Sequence, residues 1–172
     1  MKKAVLVLVL TLMTGAVYSQ TQFSVPSVED STKYQRMVGQ ANSLLLVEIS
    51  HAKDLGQTVE EAAKYVGDLF KTTWNQEEGF EGFVNGSLYN FYCFTPYGEM
   101  KILEQSDDHI IFEVTNFNSW LKKNGPVFNV TYEEYVVFME IIHERIADYM
   151  NSSASIKENE DGLVVTIRKK VT

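Results

Sequence analysis

Alternating apolar residues occur in this chain as two pairs of short runs, each pair broken by an acidic turn, and that grouping constrains the fold more than any other feature. Met100, Ile102 and Glu104 begin one alternation, Asp107-Asp108 interrupt it, and Ile110, Ile111, Phe112 and Val114 resume it. Ser155 to Lys157 and Leu163 to Ile167 repeat the arrangement around Asp161-Gly162. Successive side chains of a strand point to opposite faces, so these runs read as half-buried strands, and two runs joined by a few turn residues read as a β-hairpin. Strands that come in pairs, instead of singly between helices, predict antiparallel pairing.

The rest of the chain carries helical spacing. From Ser31 to Leu55, Tyr34, Met37, Val38, Ala41, Leu44, Leu45, Glu48, Ile49, Ala52 and Leu55 fall mostly on one arc when each residue turns about 100°. Ala41 marks the centre of that arc, and Gly56 ends the helix. Thr58 and Glu61 form a capping box that opens a second helix with apolar positions Val59, Ala62, Ala63, Val66, Leu69 and Phe70. Thr131 and Glu134 form another before a third long helix, whose stripe runs through Tyr135, Phe138, Met139, Ile142, Ile146 and Tyr149. Between them, Gly79 to Tyr97 is dense in aromatic residues and fits either a strand or a short buried helix. A short segment around Trp120 and Leu121 ends at Gly125-Pro126. The expected architecture is α+β: a helical hairpin plus a third long helix packed on an antiparallel sheet built from two hairpins, forming one domain over 31–172.

Residues 1–19 read as a secretion signal, with Lys2 and Lys3 ahead of the apolar run Ala4 to Met13 and small residues up to Ser19. That run falls short of the roughly 20 apolar residues a bilayer span needs, so no membrane span is expected. Residues 20–30 read as a flexible lead. The lysine-led signal has a bacterial look, and the expected destination is the periplasm or the medium. Cys93, the single cysteine, cannot form an internal disulfide, so the core must hold without one. The formal charge of −8 becomes about −10 once the two leader lysines are removed, and nucleic acid is disfavoured as a partner because its binding rests on clustered Lys and Arg.

Two Glu-x-x-His pairs, Glu48 with His51 and Glu140 with His143, have the spacing of ligands in di-iron carboxylate bundles. Measured from Ala41, Glu48 lies about 20° and His51 about 80° round the first helix, whereas Glu140 lies about 140° from Tyr135 on the third, among acidic neighbours. Such a site also calls for four helices, and three long ones are expected. Cys93 sits between Tyr92 and Phe94 with no basic neighbour to activate it, and reads as a buried inert thiol. No nucleophile elbow or phosphate loop is present in the sequence. No catalytic residue and no cofactor is specified.

The segment Tyr97-Gly98-Glu99-Met100-Lys101-Ile102, followed by Ile110 to Val114 and Thr115-Asn116, resembles the central hairpin of the 4-vinyl reductase-like domain family. That family is related in fold to subunits of vesicle-tethering complexes and to haem nitric-oxide-binding domains. The similarity continues, as an order of elements, through the helix Thr131 to Met150 and the hairpin Ser155 to Arg168. The resemblance implies an α+β sandwich able to hold a small hydrophobic molecule between helices and sheet, or to dimerise. Cysteines that bacterial members often carry near the last two strands are replaced here by Glu158, Asn159 and Val165, so no thiol or metal role is transferred.

The leading expectation is an exported, non-enzymatic domain that binds a small apolar ligand in a cavity edged by Trp74, Phe83, Tyr89, Phe91, Tyr92 and Phe94. Aromatic rings supply apolar walls and their hydroxyls orient a guest. The first alternative is an interaction module that forms a homodimer through an exposed helical face. The second is a metal-dependent enzyme using Glu48, His51, Glu140 and His143.

Overall fold

The computed structural model describes residues 27–170. The expected leader over 1–19 and most of the lead over 20–30 lie outside those residues. Within them the fold is α+β, with helices packed on one face of a four-stranded antiparallel sheet.

The chain runs through α1 (Asp30–Asp54), α2 (Val59–Phe70), α3 (Gly79–Phe94), β1 (Met100–Gln105), β2 (His109–Thr115), a short α4 (Ser119–Asn124), α5 (Tyr132–Tyr149), β3 (Ser152–Glu158) and β4 (Gly162–Lys169). The sheet order is β1-β2-β4-β3, so the two hairpins pair through their second strands. Ile110, Phe112 and Val114 of β2 face Ile167, Val165 and Leu163 of β4 across the central ladder. All six are buried, so one face of the sheet is the floor of the core. The expected turns stand at Asp107-Asp108 and at Asp161, with Gly162 opening β4, and Leu103 sits where the β1–β2 register slips by one residue, a bulge that bends the edge strand.

Both capping boxes form. Thr58 accepts from the Glu61 amide at 3.2 Å while the Glu61 carboxylate accepts from the Thr58 amide at 2.8 Å, and Thr131 with Glu134 does the same at 3.2 and 2.9 Å. Each box satisfies two amide donors that the first helical turn would otherwise leave unpaired. Small residues let α2 lie close on α5: Ala62, Ala63 and Gly67 are buried, and a side-chain carbon added at Gly67 would stand 2.9 Å from Arg145 Cβ. The same crossing is bridged by Asp68, which accepts from Arg145 at 2.7 and 3.0 Å and from Lys71 at 2.7 Å. These hydrogen bonds, Lys71 first and then Arg145, hold the Asp68 carboxyl below its ordinary pKa.

The aromatic stretch left open by the sequence is a helix. In α3, Phe83, Ser87 and Phe91 recur every four residues on the buried side, and Trp74 lies across Gly86, where any side chain would collide with the indole. Tyr89 and Tyr92 point outward, about 70% exposed.

α1 is turned part-way from the expected facing: Val38, Ile49 and Ala52 of the expected arc are buried, while its other residues are not. Val38, Leu46, Ile49 and Ala52 are buried, and the line they define passes through Asn42, about 100° from the expected centre at Ala41. Tyr34, Met37, Leu44 and Leu55 are exposed. The helix is apolar on two sides, and long-range contacts decide between them. Tyr135, fully buried on α5, donates from its hydroxyl to Asn42 Oδ1 at 2.9 Å, and Lys53 Nζ donates to Glu134 Oε1 at 2.7 Å and to the Asn129 carbonyl at 2.6 Å.

Candidate functional site

The six aromatic residues expected to edge one cavity are distributed over three environments. Phe83 and Phe91 are interior packing: Phe83 meets Trp74 with ring centroids 5.5 Å apart, and Phe91 packs against Phe112 at 5.6 Å, Phe117 at 5.9 Å and the His143 ring at 4.9 Å. Tyr89 and Tyr92 lie on the outer face of α3. Phe94, at the end of α3, borders a cleft formed elsewhere.

The four candidate metal ligands are not gathered either. His51 is exposed on α1 and His143 is buried on α5. His143 Nδ1 lies 2.8 Å from the Met139 carbonyl, and burial, partly offset by that hydrogen bond, pulls its pKa down, so the ring is held neutral. Glu140 accepts from the Ile156 amide at 3.2 Å, tying α5 to the edge strand β3. Among the described residues no three His, Cys, Asp or Glu side chains stand close enough together to hold a metal ion. Cys93 is half-buried, more open than expected, and its carbonyl accepts from the Tyr34 hydroxyl.

His109, the first residue of β2, is half-buried. Its ring contacts Ser106 Oγ at 2.6 Å and Asp108 Oδ1 at 2.9 Å through Nδ1, and Glu104 Oε1 at 2.9 Å through Nε2. The carboxylates, Asp108 first and then Glu104, raise its pKa. Ser106 Oγ also donates to Asp108 Oδ1 at 2.6 Å and accepts from the Asp108 and His109 amides at 3.4 and 3.2 Å. The cluster therefore ties the β1–β2 turn together.

The described cleft, about 270 Å³ in volume, lies between the first half of α1 and two loops at the end of the sheet. α1 contributes Gln35, Val38, Gly39, Asn42, Ser43 and Leu46; the α3–β1 loop contributes Thr95, Pro96 and Tyr97 after Phe94; the β2–α4 connection contributes Asn116 and Asn118 before Ser119, Trp120 and Leu121. Local chemistry explains how the loops reach it. Asn116 and Asn118 have φ of 53° and 46°, and asparagine tolerates this left-handed region better than most residues. They turn the chain sharply off β2, so that Trp120 and Leu121 lie beside the cleft, with Leu121 buried and Trp120 60% exposed. On the other side Gly98 approaches the Thr115 carbonyl so closely that any side chain would strike the backbone, and this close approach brings the Thr95–Tyr97 loop against β2.

Among the described residues no Asp, Glu, Lys, Arg, His or Cys lines the cleft. Two of its residues carry buried polar atoms without a hydrogen-bond partner, Thr95 Oγ1 and Asn118 Nδ2. Asn118 faces the Tyr135 hydroxyl, which burial holds far above its ordinary pKa and which Asn118 modestly lowers, yet the amide nitrogen does not reach hydrogen-bonding geometry. Sequence reasoning missed this site, although Asn116-Phe117-Asn118 directly after an apolar strand was a turn signal that could have marked it.

Comparison with protein-family models, with curated proteins and with solved structures gave no match. Among the described residues no helix is long and apolar enough to cross a membrane.

Proposed function

We propose that this is an exported, non-enzymatic domain that binds a small apolar molecule, and that the guest occupies the cleft between α1 and the loops Phe94–Tyr97 and Asn116–Leu121. One observation carries the reading. The cleft combines apolar walls from Val38, Leu46, Phe94, Tyr97, Trp120 and Leu121 with a few uncharged polar groups, the composition of small-molecule sites. Among the described residues its lining holds neither a nucleophile paired with a base nor an acid, which supports holding over transforming. Its volume, about 270 Å³, is near the lower end of the roughly 300–1,000 Å³ range of ligand pockets, so the guest is small. The export reading rests on the leader sequence, and the resemblance to 4-vinyl reductase-like domains, carried by the hairpin from Tyr97 to Val114, agrees with a ligand held beside the sheet.

Native mass spectrometry of the protein isolated without denaturation from cells that secrete it tests the reading. A mass above that of the chain, lost on organic extraction, is expected. The chain mass alone, combined with no binding of the neutral probe phenylnaphthylamine, ends the proposal.

A second reading has its own observation. Tyr34, Met37, Ala41, Leu44, Glu48, His51 and Leu55 recur at alternating steps of three and four along α1, the spacing of a coiled-coil seam, and Met37, Leu44 and Leu55 are each about two-thirds exposed. This seam would take a second copy of the chain, each α1 pairing with the other. Sedimentation velocity then shows a dimer that Leu44→Lys dissolves; a monomer at every concentration rules it out.

A further inference from the structure

We infer that β1 is a self-complementary docking edge, at which a second copy of the chain adds its own β1 antiparallel and joins the two sheets into one. This edge shares no residue with the cleft or with the α1 seam.

β1 closes one side of the sheet, and every residue of it except Met100 is exposed, Ile102 and Leu103 among them. An edge of this kind offers unpaired amides and carbonyls to another strand. Along an antiparallel strand those groups point alternately to one side and the other. The Thr115 amide donates to the Glu99 carbonyl at 2.9 Å, and the Ser106 amide donates to the His109 carbonyl at 2.8 Å. Counting inward from both ends, Lys101 and Glu104 also turn their backbone groups to β2, whereas Met100, Ile102 and Gln105 present theirs to solvent. The opposite edge is less open, because Glu140 of α5 accepts from the Ile156 amide of β3.

Charge placement along β1 selects a second copy as the occupant. Residues three apart in a regular strand lie on opposite faces. The register slip at Leu103 removes that offset: Lys101 stands opposite Glu113 and Glu104 opposite Ile111, both positions alternating with buried Ile110, Phe112 and Val114. Lys101 and Glu104 therefore share the outer face of the sheet. With a two-fold axis between Ile102 and Leu103, an antiparallel second copy sets Lys101 against the partner's Glu104, Met100 against the partner's Gln105 and Ile102 against the partner's Leu103. Lys101 and Glu104 then occupy the non-hydrogen-bonded positions, where facing side chains come closest and opposite charges attract. Each contact occurs twice across the axis. Registers that set lysine against lysine or glutamate against glutamate are repulsive, so the charges also fix the register. Both charges are available for this pairing. Among the described residues Lys101 has no ion-pair partner, and the 61% exposed Glu104 gives only Oε1 to His109 Nε2, at 2.9 Å, which leaves Oε2 for the lysine. The joined surface is one strand wide, so the dimer is a weak one.

Sedimentation velocity of the full protein, up to about millimolar concentration, is expected to show a reversible monomer–dimer equilibrium. Lys101→Glu sets like charges against each other at both symmetric positions, as does Glu104→Lys, and each variant alone should associate about tenfold more weakly or worse. An equimolar mixture of the two variants restores opposite charges at both positions and should associate within about threefold of wild type. Leu44→Lys should leave the equilibrium unchanged. Amide exchange of the wild-type protein gives a reading free of any variant: protection of the Met100, Ile102 and Gln105 amides should rise with protein concentration. A monomer at every concentration, a dimer indifferent to Lys101→Glu, or amides of β1 that gain no protection overturns the proposal. A mixture of well-folded variants that fails to associate does the same, and if Glu104→Lys does not fold, Lys101→Glu and the exchange data decide. A dimer that Leu44→Lys dissolves and Lys101→Glu does not would place the contact on α1 instead. None of these outcomes bears on whether the cleft holds a guest, which probe binding to the monomer reads separately.

Discussion

Gly39 lies in the middle of α1 and on the wall of the cleft, and a side-chain carbon built there meets nothing within 4 Å. Gly39→Leu therefore changes stability and binding in opposite directions. A glycine in a helix interior costs roughly 0.5–1 kcal/mol relative to alanine because the unfolded chain loses more freedom on folding, and leucine is nearly as good a helix former. The substitution should add about 0.5–1 kcal/mol and raise the melting temperature by roughly 1–4 °C for a domain of this size. The same side chain projects into a cleft of about 270 Å³ and occupies a substantial part of it, so the affinity for phenylnaphthylamine should fall by about tenfold or more. Gly39→Ala serves as the control, with a similar gain in stability and a smaller loss of binding. Thermal melts followed by circular dichroism and fluorescence titration of the same samples give both numbers. A stabilised Gly39→Leu protein that binds the probe as well as wild type would show that the guest sits elsewhere. A destabilised one would show that the position is not an open helix interior.

Three further outcomes follow from the packing. Phe91→Ala removes the ring that joins Phe112, Phe117 and His143, and chemical denaturation should show a loss of about 3–5 kcal/mol; a loss near 1 kcal/mol would mean that α3 is not anchored through this residue. Phe128, half-exposed at φ 50° in a tight turn with Asn129 at φ 59°, holds a left-handed conformation that costs a bulky residue about 1–2 kcal/mol, so Phe128→Gly should raise the urea midpoint, and a lower midpoint would assign the ring a packing role that outweighs the strain. The third concerns acid. His143 has a depressed folded pKa, so below its unfolded value of about 6.5 the unfolded chain takes up a proton that the folded chain refuses, and stability falls as pH drops. His109, with a raised pKa, has the opposite sign: its contribution is full below about 6.5 and fades as pH rises through the folded value. Comparing His143→Phe with wild type at about pH 5 and about pH 7 isolates the first term. The variant should lose less stability on acidification, and an equal loss in both proteins would place the acid sensitivity elsewhere.

Legibility in the sequence followed the range of the interactions. The hairpins and both capping boxes depend on residues a few positions apart, and Thr58-Glu61, Thr131-Glu134, Asp107-Asp108 and Asp161-Gly162 fell where they were expected. The facing of α1 depends on distant partners. Leu44, Leu45, Leu46 and Val47 are consecutive, so apolar spacing alone permits several rotations of the helix, and the true one turns half-buried Asn42 toward Tyr135, ninety-three positions away, which donates to it. The α3 stretch stayed ambiguous because Gly82 and Gly86 argue against a helix by propensity, while the close fit of Gly86 under Trp74 is visible only in three dimensions. The cleft was illegible for a related reason. Its walls come from three separated segments, and the most aromatic of the sequence's segments supplies only its last two rings, Phe94 and Tyr97, to it, because the rings before them either fill the core or face outward.

The most direct test is where a small apolar probe lands on the molecule. Amide spectra of isotope-labelled protein titrated with phenylnaphthylamine should show the largest shifts confined to Val38–Leu46, Thr95–Tyr97 and Asn116–Leu121. Shifts centred on Tyr89 and Tyr92 of α3, or spread without focus over the surface, would contradict a cleft built to hold an uncharged guest.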